Sequence, residues 1–148
     1  MRQTLWLVLL FVIVFSSAGL QQTNSSPKAS TNKGEVERGK YLVEEVAKCP
    51  ECHTPRDDRG ELQTDAWLRG ARTWIRPVAP IQNWADRAPA LAGLPSFTDQ
   101  QAEHILEQGT GPNGEVIRPP MHIYHMNHAD AAAIVAYLKS LPRGTSAN

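Results

Sequence analysis

The residues with the clearest chemical capability form one short cluster, Cys49-Pro50-Glu51-Cys52-His53. Cys-x-x-Cys-His is the pattern to which a c-type haem is attached. The two thiols add across the vinyl groups of the porphyrin, and two intervening residues on a helical turn give the required separation. The histidine that follows directs its imidazole at the iron as an axial ligand. The spacing therefore predicts one covalently attached haem c, held by Cys49, Cys52 and His53.

Other uses of a Cys-x-x-Cys pair are less well supported by the sequence. A redox-active disulfide is expected in a βαβ setting, and no such alternation of strand and helix patterns is found. A zinc site needs further ligands at suitable spacing, and the chain offers only scattered histidines besides its two cysteines. A simple disulfide between Cys49 and Cys52 stays as an open alternative, because an exported chain can form one.

A second iron ligand is predicted where Pro119 and Pro120 precede Met121. A methionine thioether is a soft, weak ligand that raises the reduction potential relative to a second imidazole. Prolines reduce the conformational entropy that is lost when so weak a ligand is fixed. Met121 is therefore predicted to bind the iron opposite His53.

Several other potential ligands follow this methionine closely: His122, His125, Met126 and His128. Met126 and His125 stay as alternative ligands. If these side chains are not ligands, they belong to a lid or to the surface, where nearby imidazoles would make the reduction potential sensitive to pH. His104 is expected on the face of a helix.

Two predicted helices lie on either side of the central part of the chain. The first spans Glu35–Lys48 and leads into the cysteine motif. It contains Gly39, which costs about 1 kcal/mol of helix stability relative to alanine and indicates that another helix approaches closely. The second begins after Thr98, whose capping box is completed by Gln101, and stops at Gly109.

The clearest predicted helix spans roughly residues 129–141. Asn127 or His128 can cap its first turn, and apolar residues recur at helical spacing along it. Pro142 ends it.

Residues 54–95 show neither helical nor strand periodicity. A loop of this length is unusual in a small domain unless it wraps something, and we expect it to wrap the haem edge. Tryptophan and arginine side chains can donate hydrogen bonds to the haem propionates. The candidate donors in this loop are Arg69, Arg72, Trp74, Arg76 and Trp84. The alternative is that the tryptophans fill the pocket wall and the arginines are solvated.

The order of these features resembles that of the class I c-type cytochromes. A covalent haem motif follows an N-terminal helix, a proline-flanked methionine comes later, and a terminal helix contains the segment Ala136–Leu141. The resemblance covers about residues 35–142. It implies an all-α, class I cytochrome c-like helical domain wrapped around one covalently attached haem, with a long irregular loop.

The resemblance also implies a contact between the first and last helices, which maps onto Gly39 and Tyr137. Two features depart from the family pattern. One is that several possible ligands closely follow Met121, and the other is the long stretch between His53 and the second helix.

The N-terminus predicts export. Arg2 is followed by an apolar run over residues 5–15, and Ser16 and Ala18 suit a signal peptidase. The run is shorter than the ~20 apolar residues of a typical spanning helix, which favours a cleaved signal over an anchor. Four parts are predicted: 1–20 as a signal peptide or N-terminal membrane anchor, 21–34 as a flexible linker, 35–142 as the cytochrome c domain, and 143–148 as a tail.

Composition narrows the possible functions. The 148 residues include 15 basic and 15 acidic side chains, which excludes a basic nucleic-acid surface. The mean hydropathy of −0.37 excludes a multi-span membrane protein. The predicted protein is periplasmic, either soluble or anchored to the outer face of the inner membrane, and is a monomer or a subunit of a complex.

An iron with two protein ligands has no open position, so the predicted function is electron transfer and not catalysis. Expected redox partners are a dehydrogenase, a respiratory complex or a terminal oxidase. Two alternatives stay open. One is a haem enzyme, or a gas or peroxide sensor, with a labile or absent distal ligand. The other is a tethered haem subunit of a dehydrogenase or oxidase complex.

Overall fold

The structure, a computed structural model, describes residues 31–143 of the chain. The predicted signal or anchor, residues 21–30 of the predicted linker, and the tail from residue 144 lie outside the described residues. Within the described range, no helix is both long and apolar enough to cross a lipid bilayer.

The first helix begins earlier than predicted. Helix α1 spans Thr31–Tyr41, so residues 31–34, which the sequence placed in the linker, are helical. Its continuation, Leu42–Val46, is a π-helical turn. Leu42 and Val43 in this turn are buried in the core. The wider turn thus carries the chain out of α1 with Leu42 and Val43 still facing inward.

The chain then turns sharply into the cysteine motif. Lys48 has a left-handed backbone with φ of 52°. Helix α2, Pro50–His53, follows as one short turn with its proline in the first helical position. Proline is favoured there because its missing N–H would have no partner in the helix. The helical turn predicted for the motif is confirmed.

Helices α3 (Asp99–Gln108) and α4 (His128–Ser140) begin and end close to where the sequence places them. Thr98 and Gln101 form the predicted capping box. Asn127 caps α4 by accepting a hydrogen bond from the backbone N–H of Asp130. Gly109 ends α3 in the left-handed conformation, with φ of 69°.

The core forms where α1 crosses α4 at Gly39. A Cβ atom at this glycine would overlap the carbonyl oxygen of Ala133 and lie 2.8 Å from the Cβ of Tyr137. The predicted contact between Gly39 and Tyr137 is therefore confirmed. Around it, Ile134 and Leu138 of α4 are buried against the π-helical turn, α3 and part of the central loop.

The loop over residues 54–95 is mostly irregular, as expected, with two short regular elements. Thr64–Ala66 is a 3₁₀ turn. Strands β1 (Ala71–Arg72) and β2 (Arg87–Ala88) pair antiparallel, with Ala71 opposite Ala88. The sequence does not predict this ribbon because two residues per strand are too few to show a period. The fold is otherwise helical, which confirms the predicted class.

The junction of α3 and α4 carries an exposed pH-sensitive pair. His128 Nδ1 lies 2.8 Å from a carboxylate oxygen of Glu107. The hydrogen bond to Glu107, and then its charge, raises the pKa of His128 above its usual value. A raised pKa means that the pair stabilises the fold fully below the unfolded pKa of about 6.5 and loses this effect as pH rises through the folded pKa.

We therefore expect the pH dependence of stability to change in Glu107→Gln. On going from about pH 8.5 to about pH 6, the free energy of unfolding of wild type should rise relative to that of the variant. The reason is that only the Glu107 carboxylate favours the protonated imidazole of His128. The gain is small, since solvent screens the exposed pair. Thermal denaturation of both proteins at the two pH values measures it. An equal pH dependence in both proteins would contradict the prediction.

Candidate haem site

A cavity of about 370 Å³ lies between α2, α3, α4 and the central loop. Much of its wall is apolar and includes Leu91, Leu94, Phe97, Ile105, Leu106 and Leu138. Cys49, Cys52 and His53 also line the cavity, and so does Met121 from a different part of the chain. The structure therefore brings all four predicted cofactor-binding residues to one space.

The two cysteines enter the cavity from α2 and the residue before it. They are not joined by a disulfide. Burial raises the pKa of Cys49 to about 11. Burial also raises the pKa of Cys52, and the nearby charge of Glu51 adds to that rise. Both groups are therefore protonated thiols at neutral pH.

His53 is buried, with 6% of its surface exposed, and its ring is fixed by one hydrogen bond. Its Nδ1 lies 2.8 Å from the carbonyl oxygen of Pro89. Burial lowers the pKa of His53, and the bond to Pro89 offsets part of this. The ring is therefore neutral. Because Nδ1 donates to the carbonyl, the lone pair is on Nε2, where it can bind a metal ion.

Sequence reasoning did not identify Pro89 as a contributor to the site. The group it supplies is a backbone carbonyl, which every residue has, so residue type gives no signal. Pro89 directly follows β2, and Gly70, just before β1, donates its backbone N–H to the carbonyl of His53 at 2.8 Å. The β-ribbon thus holds both the backbone and the ring of this histidine.

Met121 is half-buried and sits in a short turn that is tied to the central loop. Its backbone N–H donates to the carbonyl of Arg118 at 3.2 Å. The backbone N–H of Ala85 donates to the carbonyl of Pro119 at 2.7 Å. Pro120 lines the cavity beside the methionine. These contacts hold the methionine segment against the cavity wall.

Two of the alternative ligands, Met126 and His125, are not among the residues that line the cavity. Met126 packs against the hydrophobic core. His125 is exposed and has a left-handed backbone with φ of 51°. His104 lies on the exposed face of α3, as expected, with Nε2 2.9 Å from the Thr110 hydroxyl.

His122 is the one alternative that borders the cavity within the described range. It is exposed, and its ring meets that of Tyr124 edge-on with 5.0 Å between the ring centroids. In residues 31–143, no group of three or more His, Cys, Asp or Glu side chains is arranged to hold a metal ion.

The predicted propionate donors need correction. None of the five lines the cavity: Arg69, Arg72, Trp74, Arg76 and Trp84. The Trp74 indole donates instead to the carbonyl of Glu51 at 2.9 Å, with the Arg56 guanidinium 4.9 Å from its ring centroid. The arginines that border the cavity are Arg87 and Arg118. Which arginine and tryptophan side chains border the cavity depends on the path of the chain around it.

The residues present fit a haem. Two thiols and a neutral imidazole come from one segment, a thioether comes from another, and apolar side chains form much of the wall between them. A large, mainly apolar group matches this combination.

Tyr124 ties two walls of the cavity together. Its hydroxyl donates to the carbonyl of Ala47 at 2.9 Å, joining the segment after Met121 to the segment before Cys49. Burial raises the pKa of Tyr124 to about 12, so the hydroxyl keeps its proton at neutral pH.

We expect Tyr124→Phe to lower the free energy of unfolding by about 1 kcal/mol, because the half-buried carbonyl of Ala47 loses its donor. Urea denaturation of the haem-loaded protein measures the loss. Tyr41→Phe is the control, since Tyr41 is 53% exposed and outside the cavity. Equal effects of the two substitutions would show that the link to Ala47 contributes nothing.

Comparison with known protein families gives one match over most of the described chain. Residues 36–142 match the family model described as "Cytochrome c". The matched range contains the cysteine motif, the methionine segment and α4.

Three curated relatives illustrate the similarity. The "Fructose dehydrogenase cytochrome subunit" of Gluconobacter japonicus is 35% identical over 124 residues, covering 76% of this chain and 23% of that protein. The "Diheme cytochrome c-type" of Cereibacter sphaeroides is 34% identical over 116 residues, 73% of this chain and 36% of that protein.

The "Alcohol dehydrogenase (quinone), cytochrome c subunit" of Gluconobacter oxydans is 32% identical over 124 residues, 76% of this chain and 25% of that protein. The matched part of this chain thus spans between about a quarter and a third of the length of these relatives.

Proposed function

Because this chain belongs to the cytochrome c family, we propose that it carries one electron at a time on a single haem c, attached through Cys49 and Cys52. His53 and Met121 are the proposed axial ligands. The family and the named relatives make the chain an electron carrier and not itself a catalytic enzyme. The observation that supports the proposed site is that these four residues line one cavity.

A bound haem supplies a one-electron ferric–ferrous couple. His53 is suited to ligation because the Pro89 carbonyl fixes its tautomer and orientation. Met121 offers a soft sulfur, which favours the reduced state. The apolar wall around Leu106 and Leu138 excludes water and disfavours the extra positive charge of the oxidised state. These features together support a relatively high reduction potential.

The proposed partners follow from two of these relatives, which are named as cytochrome subunits of dehydrogenases. We propose that a dehydrogenase supplies the electron and that a respiratory complex or terminal oxidase accepts it. We propose that this exchange takes place outside the cytoplasm, because residues 1–20 are predicted to be a signal peptide or an anchor. Attachment of the chain as a tethered subunit of the dehydrogenase is compatible with the same chemistry.

The test is to produce the full chain in a host that attaches c-type haem and to titrate it potentiometrically. We expect a mass increase of one haem, a low-spin spectrum in both oxidation states, and a one-electron transition. A chain without covalent haem, or a mass increase of two haems, would contradict the proposal. Rapid carbon monoxide binding by the reduced protein would contradict the six-coordinate carrier.

A further inference from the structure

The chain between β1 and β2 carries an apolar surface that the haem cavity does not use. We call residues 74–81, with the sequence Trp-Ile-Arg-Pro-Val-Ala-Pro-Ile, the apolar tip. Val78 is fully exposed, while Trp74 and Ile81 expose 57% and 49% of their surface. None of these three side chains lines the cavity. Large apolar side chains exposed within so short a segment indicate a surface that contacts something else.

The apolar tip extends from a base that is fixed on both sides. On one side, the Trp74 indole donates to the carbonyl of Glu51 at 2.9 Å, and the Arg56 guanidinium lies 4.9 Å from its ring centroid. On the other side, the Arg118 guanidinium donates to the carbonyl of Trp84 at 3.0 Å. Because the only polar side-chain atom of Trp74 is bonded within the protein, its exposed part is hydrocarbon. The fixed base lowers the conformational entropy that is lost when the tip binds a surface.

The segment that carries the apolar tip is also positively charged. Residues 69–87 contain four arginines and one acidic residue, a net charge of +3 in a chain whose formal net charge is zero. Asp86, the acidic residue, lies 3.8 Å from Arg76 in a pair that is largely exposed, so solvent screens their attraction. This segment therefore presents apolar and cationic groups together.

A bilayer that contains anionic phospholipid matches this combination. Aliphatic and indole side chains enter the boundary between headgroups and acyl chains, while arginines are attracted to the headgroup phosphates. A second copy of this chain fits less well, because a symmetric contact would place like charges opposite each other. The N-terminal sequence predicts export, which brings the chain to a membrane.

We infer that the apolar tip inserts into the interface of an anionic phospholipid bilayer, with Arg72 and Arg76 at the headgroups. This inference goes beyond the proposed function and does not depend on the haem. The far end of the same segment, at Ala85 and Arg87, lines the cavity. A docked tip therefore fixes how the cavity is oriented relative to the membrane, and electron transfer to a membrane-bound partner starts from that orientation.

The first test is co-sedimentation of the full exported chain with two kinds of vesicle. One contains phosphatidylcholine alone, and the other contains equal parts of phosphatidylcholine and phosphatidylglycerol. Immunoblotting of pellet and supernatant quantifies the protein, so the readout does not require a bound cofactor. We expect wild type to bind the anionic vesicles at least about fivefold more tightly, since one arginine near an anionic surface contributes roughly that factor.

Two sets of substitutions separate the apolar and the charged contributions. Combining Val78→Ser with Ile81→Ser should lower partition into anionic vesicles about tenfold or more, because two aliphatic side chains no longer leave water. Arg76→Gln should weaken binding to anionic vesicles about fivefold and leave binding to neutral vesicles unchanged.

Val46→Ser is the matched control. Val46 is 54% exposed and does not line the cavity, and its neighbours in sequence include Glu44 and Glu45 instead of arginines. This variant should bind anionic vesicles as wild type does.

A nitroxide attached at Val78→Cys measures where the apolar tip lies, and this readout holds even if residues 1–20 retain the chain on every vesicle. On anionic vesicles, we expect the label to be protected from a water-soluble nickel chelate and reached by oxygen. The same label at Val46→Cys should stay accessible to the chelate.

Equal chelate access at positions 78 and 46 would overturn the inference, because the apolar tip then stays in water. Unchanged binding of the double serine variant, where wild type binds reversibly, would overturn it as well. A concentration-dependent dimer of wild type that the double serine variant loses would assign the tip to a second copy instead. A chain without covalent haem overturns the proposed function alone, since vesicle binding is measured without reference to the cofactor.

Discussion

Replacing Met121 with alanine is expected to abolish the far-red methionine–iron absorption of the oxidised protein. The midpoint potential should fall by at least about 59 mV, which is a tenfold change in the ratio of reduced to oxidised protein. The reason is that a thioether stabilises the ferrous state. Alanine leaves a position that water or another protein ligand can take. Visible spectroscopy of both oxidation states and a potentiometric titration measure the two effects.

Met126→Ala is the matched control, because it removes the same side chain from a position five residues later. Met126 packs against the core and does not line the cavity. We expect this variant to keep the far-red absorption and to lose about 2 kcal/mol of stability. Survival of the absorption in Met121→Ala and its loss in Met126→Ala would reverse the assignment. His122→Ala should also keep the far-red absorption.

The second large effect is expected at Gly39, where α1 crosses α4. An added methyl group would overlap the carbonyl oxygen of Ala133, which is backbone and cannot rotate away. The helices must separate, and overpacking of this kind costs about 3 kcal/mol. For a domain of this size, the Tm of Gly39→Ala should fall by about 10 °C or more. Gly39→Val should destabilise the protein further.

Gly34→Ala provides the control within the same helix. A Cβ atom at this position has no neighbour within 4 Å. Alanine should therefore stabilise the helix by about 0.5 kcal/mol through its higher helix propensity. Thermal denaturation of the haem-loaded proteins, followed by far-ultraviolet circular dichroism, measures both variants. A tolerated alanine at position 39 would mean that the two helices do not approach as closely as described.

The sequence predicted those features that depend on nearby residues. The beginnings of α3 and α4 follow from Thr98, Gln101 and Asn127, whose side chains accept hydrogen bonds from backbone N–H groups three positions away. The cysteine motif is equally local, because the two thiols and the imidazole lie within five consecutive residues. The assignment of Cys49, Cys52 and His53 as haem-binding residues stays a prediction, and so does that of Met121, which Met121→Ala tests.

The features that sequence reasoning missed depend on contacts between distant residues. Pro89 supports His53 through a carbonyl, which leaves no trace in residue type. Arg118 reaches the loop near Trp84 only because of the path that the chain takes around the cavity. The extra first turn of α1 escaped detection for another reason. The residues from Lys33 to Glu35 are exposed and polar, so the helix shows no apolar period there.

The pairing of α1 with α4 joins helices from opposite ends of the described chain. This pairing cannot form until α4 has been made, and it requires the intervening chain to be closed into a loop. In a chain that is threaded through a membrane N-terminus first, Cys49 and Cys52 emerge before Tyr137 does. Their thiols are then reachable while the domain is still open. The order of the elements along the chain therefore leaves the cysteine motif accessible until the last helix is present.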